Sequence, residues 1–281
     1  MGVSRPERVS LHDAAERLGV HYMTVYHYVR TGRLAAQRRG ATWSVALDDL
    51  EALRARAPGG GARPAVPRPS RLADRLVAGD EGGAWRVVED AMASGRDPAA
   101  VYTEILVPAL SQIGDRWARG ELSIADEHRA SVIAARLVGR LGPRFARRGR
   151  HRGTVVLGAV AGERHALPGA ILADLLRGRG FEVLDLGADT PSASFVESAR
   201  AADRLTAVLV GATSAGHETV LREVVGLLHE AGTGARVLVG GRAVPDGEAA
   251  RRLGADAWSG VGAADALAAV ERLAREPASG T

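Results

Sequence analysis

Apolar positions follow three different rhythms along the chain. In residues 9 to 56 short amphipathic runs alternate with polar turns. Leu11 to Leu18 reads as a helix with Gly19 as its stop, and a second helix starts near His21. The following stretch, "LAAQRRGATWSVALDDLEAL", predicts two short strands around Arg38, Arg39, Gly40, Ala41 and Thr42, then a third helix. This is the spacing of a helix-turn-helix followed by a wing. From residue 71 to 148 apolar residues recur at helical spacing, as in Ile105, Ala109, Ile113 and Trp117, then Ala130, Ala134, Leu137 and Leu141. That pattern predicts a bundle of about four helices. From residue 153 the rhythm becomes short apolar runs ("TVVLGAVA", "FEVLDLG", "TAVLVGA", "RVLVGG", "DAW") between helical patterns, which predicts a buried, mostly parallel sheet.

The stretch "PGGGARPAVPRPS" has almost nothing to bury, so residues 58–70 read as a linker. The expected organisation is multidomain: a winged helix-turn-helix at 1–57, the linker, a four-helix bundle at 71–149, and a flavodoxin-like (Rossmann-like) α/β domain at 150–281. At 281 residues the chain is long enough for two or three cores. It has no uninterrupted apolar run of transmembrane length and no secretory h-region, so a cytoplasmic location without membrane attachment is expected.

Zero cysteines exclude disulfides, thiolate metal sites and a cysteine nucleophile, leaving histidine and carboxylates to carry any metal chemistry. The net charge is +4, and every one of the 37 basic residues is an arginine, which fits a GC-rich genome. Residues 1–70 hold eleven arginines against six acids, so the N-terminal module is basic. These arginines suit either a solvated face or phosphate contacts.

Two short stretches carry candidate chemistry. In "WARGELSIADEH" Ser123 and Asp126 have capping-box spacing, so a helix starts at Ile124 and Glu127 falls on the stripe of Ala130, Ala134 and Leu137. Stabilisation of the helix dipole by an N-terminal acid accounts for Glu127; a carboxylate on a buried face also needs a partner. In "GERHALPG" Glu163 and His165 follow the first strand of the sheet, where doubly wound folds place ligands. A carboxylate there can accept from one ring nitrogen and leave the other as a basic metal ligand. No G-x-G-x-x-G follows a strand, which argues against plain dinucleotide binding.

Residues 9–56, above all "TVYHYVRTGRL", resemble the winged helix-turn-helix of excisionase and MerR-type regulators. That resemblance implies His21, Tyr22, Thr24 and His27 at base edges, and Arg30, Arg33, Arg38 and Arg39 at phosphates or the minor groove. The C-terminal region resembles the cobalamin-binding domain family, through Glu163-x-His165, "GAT" at Gly211 to Thr213, "LGADTP" and Gly240-Gly241. It implies that His165 ligates cobalt in place of the cofactor's own dimethylbenzimidazole, whose nucleotide tail enters a slot lined by Gly169, Gly211, Thr213, Gly240 and Gly241. Pro168 stands where the family has a glycine, with Gly169 one place later, and Gly211 stands where it has a serine.

Trp117, nine residues, then Glu127-His128 is similar to the helical cap of cobalamin-dependent regulators of the CarH and LitR type. It implies that the three side chains surround the group above cobalt. Ala118 replaces a histidine found in light-sensing relatives. The expected protein is therefore not an enzyme but a transcriptional regulator. It binds cobalamin, adenosylcobalamin first, and couples its state, light-sensitive by resemblance, to assembly as a dimer or tetramer and to double-stranded operator DNA. A corrinoid methyl carrier of a methyltransferase system and a sensor of another tetrapyrrole are the alternatives.

Overall fold

The computed structural model describes residues 7–18, 20, 22–30, 32–39, 42–56 and 67–275. It forms two compact units, Met1–Ile133 and Ala134–Thr281, each taken by itself below.

In the first unit, β1 (Arg8–Ser10) leads into α1 (Leu11–Leu18) and α2 (Tyr22–Arg30); β2 (Ala36–Arg39), β3 (Thr42–Ala46) and α3 (Leu47–Arg56) follow. Ser10 caps α1: its Oγ accepts from Asp13 N–H at 3.1 Å, while Asp13 Oδ2 accepts from Ser10 N–H at 3.3 Å. The hairpin β2–β3 occupies the position of the expected wing, and β1 adds a third antiparallel strand to give the order β1-β3-β2. β1 is invisible in the pattern because three residues are too few to show alternation and its partner lies far along the chain.

Val9, Leu11, Ala14, Ala15, Val25, Leu34, Val45 and Leu50 make the core of this region. Thr24, read as a base contact, is corrected here: it is 3% exposed, on the buried side of α2 beside Val25, because the helix is rotated further inward than its alternating Tyr and Thr residues suggest. Its Oγ1 has no hydrogen-bond partner among the described residues. His21 and the side chains of His27 and Arg39 lie outside the described residues.

The helical region begins with α4 (Pro69–Val77), so Pro69 and Ser70, assigned to the linker by composition, belong to a helix. Proline's fixed φ suits a first turn, and composition cannot separate that use from a linker's. After α5 (Glu81–Ala93), α6 (Pro98–Val101) runs through a π-helical turn (Tyr102–Leu106) into α7 (Val107–Ala118). The wide turn sits just before Pro108, which has no N–H for the carbonyl four residues back. α8 (Ile124–Leu141) starts where expected: Ser123 Oγ accepts from Asp126 N–H at 3.1 Å and Asp126 Oδ2 from Ser123 N–H at 3.1 Å. Arg129 of α8 donates to the Val77 carbonyl at 2.7 Å. The division between the two compact units falls inside α8.

In the second unit strands and helices alternate: β4 (Thr154–Ala159), α9 (Leu167–Gly178), β5 (Glu182–Asp185), α10 (Ser192–Ala201), β6 (Leu205–Gly211), α11 (Glu218–Glu230), β7 (Arg236–Gly240), α12 (Gly247–Arg252), β8 (Ala257–Trp258) and α13 (Ala263–Leu273). All pairs are parallel, in the order β5-β4-β6-β7-β8. Successive side chains point to opposite faces. Val156, Val208, Val210 and Val239 therefore pack with Phe195, Leu221, Val224 and Ala250 on one face. Val155, Leu157, Leu209 and Leu238 pack with Leu172, Leu176, Ala269 and Val270 on the other. The chain leaves β4 toward one edge and returns through β6 on its other side, which opens a crevice at the carboxyl ends of β4 and β6. Among the described residues no helix is long and apolar enough to cross a membrane.

The corrected placement of Thr24 is testable. Thr24→Val keeps the shape and removes a buried hydroxyl without a partner, so denaturant unfolding of the variant should show unchanged stability or a gain of about 1 kcal/mol. A decrease of that size would return Thr24 Oγ1 to a working contact.

Candidate cofactor site

β4 and β6 end side by side, with Ala159 paired to Gly211, so the loops that follow them are forced together. Gly162, at φ +85, turns the first loop so that Glu163 points inward. Its side chain is 1% exposed. Both carboxylate oxygens are filled: Oε1 accepts from His165 N–H at 2.9 Å and lies 2.5 Å from His165 Nδ1, and Oε2 accepts from Thr213 N–H and Ser214 N–H, each at 2.7 Å. Burial alone pushes this carboxyl up, but the hydrogen bonds from Ser214, His165 and Thr213 outweigh it and hold the pKa at about 2.

An ionised carboxylate can only accept, so the proton of a neutral His165 sits on Nδ1 and the lone pair on Nε2. Ser214 Oγ stands 3.4 Å from the same Nδ1. Nε2 has no hydrogen bond among the described residues, and the ring is half exposed. This is the arrangement that raises the basicity of a metal-ligating imidazole and fixes its orientation. Among the described residues no group of three or more His, Asp and Glu side chains can hold a metal ion, so His165 is not part of a three-ligand protein site for a bare ion. A metal carried inside a macrocycle fits that donor set.

A second carboxylate holds the loop from the other side. Asp189 has φ +52, a backbone conformation uncommon outside glycine. Its N–H donates to the Glu163 carbonyl at 2.8 Å and its Oδ1 accepts from Gly162 N–H at 2.6 Å. Neither Asp189 nor Ser214 was singled out from sequence. "LGADTP" and "GATS" held the signal, but only the adjacency of three loops gives it meaning.

The glycines divide into two kinds. A Cβ on Gly169 or Gly211 would make only ordinary contacts, at 3.6 Å to Leu157 Cδ1 and 3.7 Å to the Gly158 carbonyl. On Gly240 it would strike Ser259 Oγ and come within 2.5 Å of the Gly260 carbonyl, and on Gly241, at φ +94, it would strike the Ala212 carbonyl. At this pair the protein's own neighbouring loops already exclude a side chain, because parallel strand ends converge there.

In the first unit, Trp117 ends α7 with 49% of its surface exposed, and Ile124 on the first turn of α8 is exposed at 65%. Glu127 is less buried than its helix stripe suggests. Its Oε1 accepts from Ser131 Oγ at 2.6 Å and its Oε2 lies 3.0 Å from Nδ1 of the exposed His128. Tyr22, Arg30, Arg33 and Arg38 are exposed. Arg33 lies over the Tyr28 ring at 4.7 Å and Arg38 over Trp43 at 6.0 Å.

The held-down Glu163 makes stability pH-dependent with a definite sign. Its folded pKa of about 2 lies below the ordinary 4.5, so its contribution is complete above pH 4.5 and lost as pH falls toward 2. Glu163→Gln should cost about 3 kcal/mol at neutral pH, because an amide presents N–H groups to backbone donors. In denaturant unfolding at pH 7, 5 and 3, the gap between parent and variant should narrow at the acid end.

Comparison with known proteins places these features in a family. A family profile described as "B12 binding domain" matches residues 70–141, a second of that description matches 153–271, and a "Helix-turn-helix domain" profile matches 9–58. Trimethylamine corrinoid protein 2 of Methanosarcina acetivorans is 31% identical over 206 residues, which cover 70% of this chain and 92% of that one. Dimethylamine corrinoid protein of Methanosarcina barkeri is 30% identical over 213 residues, covering 72% and 95%. Trimethylamine corrinoid protein 1 of Methanosarcina acetivorans is matched over 62% of its length at 29% identity. The solved monomethylamine corrinoid protein of Methanosarcina barkeri shares the fold, with a TM-score of 0.63 over 72% of this chain and 96% of that one at 20% identity. A helical B12 region, an α/β B12 region and a loop that presents one buttressed histidine thus occur together, and the chain belongs to the corrinoid protein family as a cobalamin-binding protein with a helix-turn-helix domain ahead of its B12 regions.

Proposed function

We propose that this protein is a cobalamin-responsive DNA-binding regulator in which His165 Nε2 is the lower ligand of cobalt. The observation that carries the regulator reading is the helix-turn-helix at residues 9–58, ahead of B12 regions, in a chain whose match covers 92% and 95% of two corrinoid relatives. A carrier has no physical use for an additional basic module with exposed Arg30, Arg33 and Arg38 beside an exposed Tyr22. Those arginines match phosphate oxygens, and Tyr22 stands at the start of α2, the helix that enters a groove in this motif.

Toward the cofactor, Glu163 keeps the proton on Nδ1 of His165, and Ser214 and Thr213 keep Glu163 ionised. When bound, the corrin supplies a cobalt whose upper ligand can be exchanged or lost on illumination. In the helical region, Trp117, Glu127 and His128 are the residues that would hold an adenosyl group, the indole by apolar contact and the carboxylate by accepting from hydroxyls. Assembly into a dimer or tetramer then multiplies DNA affinity through effective concentration. The corrinoid relatives favour a second reading, a methyl carrier serving a methyltransferase partner, which needs the same His165 but no DNA.

Two measurements separate the readings. His165→Ala should bind cobalamin more weakly, by about tenfold or more, with a shifted cobalt absorption spectrum; an unchanged spectrum and affinity would exclude His165 as the ligand. Mobility shift of a DNA fragment from upstream of the chain's own gene should change at least about fivefold between apoprotein, adenosylcobalamin-loaded protein in darkness, and the same sample after green light. Absence of DNA binding in all three states, with methyl uptake from a methylamine methyltransferase, would establish the carrier.

A further inference from the structure

Charge in this chain is concentrated in two places. Residues 1–70 carry a net +5, and the eleven residues Gly142–Arg152 carry another +5 from Arg144, Arg147, Arg148, Arg150 and Arg152 with no acid among them. The remaining 200 residues therefore sum to −6. The first cationic block is the helix-turn-helix region. The second has no assigned use.

We propose that Arg144, Arg147, Arg148 and Arg150 form an arm by which the α/β unit grips the phosphates of duplex DNA. The inference rests on the DNA-binding reading above and extends it to a second contact. Arg147, Arg148 and Arg150 lie on a strap pinned at both ends, and Arg144 lies just ahead of the first pin. Before it, Phe145 is buried against α9, where Gly178 leaves room for the ring: a Cβ there would stand 3.0 Å from Phe145 Cδ1. After it, Arg204 donates to the His151 carbonyl at 2.7 Å and Arg152 N–H donates to the Gly180 carbonyl at 2.9 Å. Between the pins, residues 146–150 are all exposed and adopt neither helix nor strand.

The neighbouring arginines are already engaged. Arg152, Arg179 and Arg275 share the Glu271 carboxylate at 3.9, 3.6 and 3.7 Å, and Arg152 also covers the Phe181 ring at 4.7 Å. Arg144, Arg147, Arg148 and Arg150 have no ion pair among the described residues, so their guanidinium groups face water alone. Arg147 to Arg150 reach about 10 Å along an extended backbone, a span that meets roughly three successive phosphates of one strand. Salt limits attraction to within about 8 Å, so the positive helix-turn-helix cannot shield a net-negative remainder from the duplex, and any part of it lying against DNA needs cations of its own.

The test uses the full-length chain and fluorescence anisotropy with a labelled duplex of scrambled sequence over a range of salt. Replacing Arg144, Arg147, Arg148 and Arg150 with Gln should reduce the slope of log affinity against log salt by about 0.9 for each phosphate that is no longer neutralised, or about 3 to 4 in total. Replacing Arg147 and Arg148 alone should remove about half of that. The absorption spectrum of bound cobalamin should be the same as in the parent, since these side chains lie outside the site, and this checks that the variant folds.

Measuring the arm replacement also in a chain with Arg30, Arg33 and Arg38 changed to Gln separates the two ideas. Residual DNA binding that the arm replacement abolishes supports the arm even where no operator specificity or cobalamin response is found. A slope unchanged by the arm replacement in both backgrounds overturns it, and so does displacement of the duplex by poly-L-glutamate at equal charge concentration, which would point to an acidic protein partner.

Discussion

The site depends on one buried carboxylate. Glu163 is held by four donors, three of them backbone N–H groups, and this decides its ionisation against the pull of burial. Because it stays charged, the His165 proton is confined to Nδ1 and Nε2 remains a base. Because its donors come from two loops, the carboxylate also ties the end of β4 to the end of β6. The imidazole is thus oriented by loops that the parallel sheet brings together.

That dependence explains where conformational cost is accepted. Positive φ at Asp189 is unfavourable for a residue with a side chain, yet its N–H and carboxylate close the Glu163 loop from the β5 side. Gly240 and Gly241 forgo side-chain packing so that adjoining strand ends can approach. Both features converge on the carboxyl edge of the sheet, and the opposite end of the unit holds ordinary surface ion pairs such as Arg179 with Glu271.

The protein is thus organised as a rigid cofactor platform with helical and helix-turn-helix regions ahead of it. The sheet tolerates few changes near the crevice, since each loop supports another. The exposed groups, Tyr22, Arg30, Arg33, Trp117, Ile124 and His128, impose little on folding and are free to serve recognition.

Local pattern alone specifies the three regions, the five parallel strands and the pairing of Glu163 with His165. Each of these is written in short-range periodicity or in residues two apart, where backbone geometry leaves few choices. The start of α8 is legible for the same reason, because a capping box is a contact between residues three apart. Which groups complete the site is settled by tertiary packing. Ser214 and Thr213 meet Glu163 across fifty residues, and Asp189 across twenty-six, through loops that are neighbours only because β4 lies between β5 and β6. The same holds for β1, which needs β3 to exist as a strand, and for Thr24, whose burial depends on how α2 is rotated against the core. For Gly240 and Gly241, composition announces that a side chain is excluded, but only the packing of the strand ends shows what excludes it.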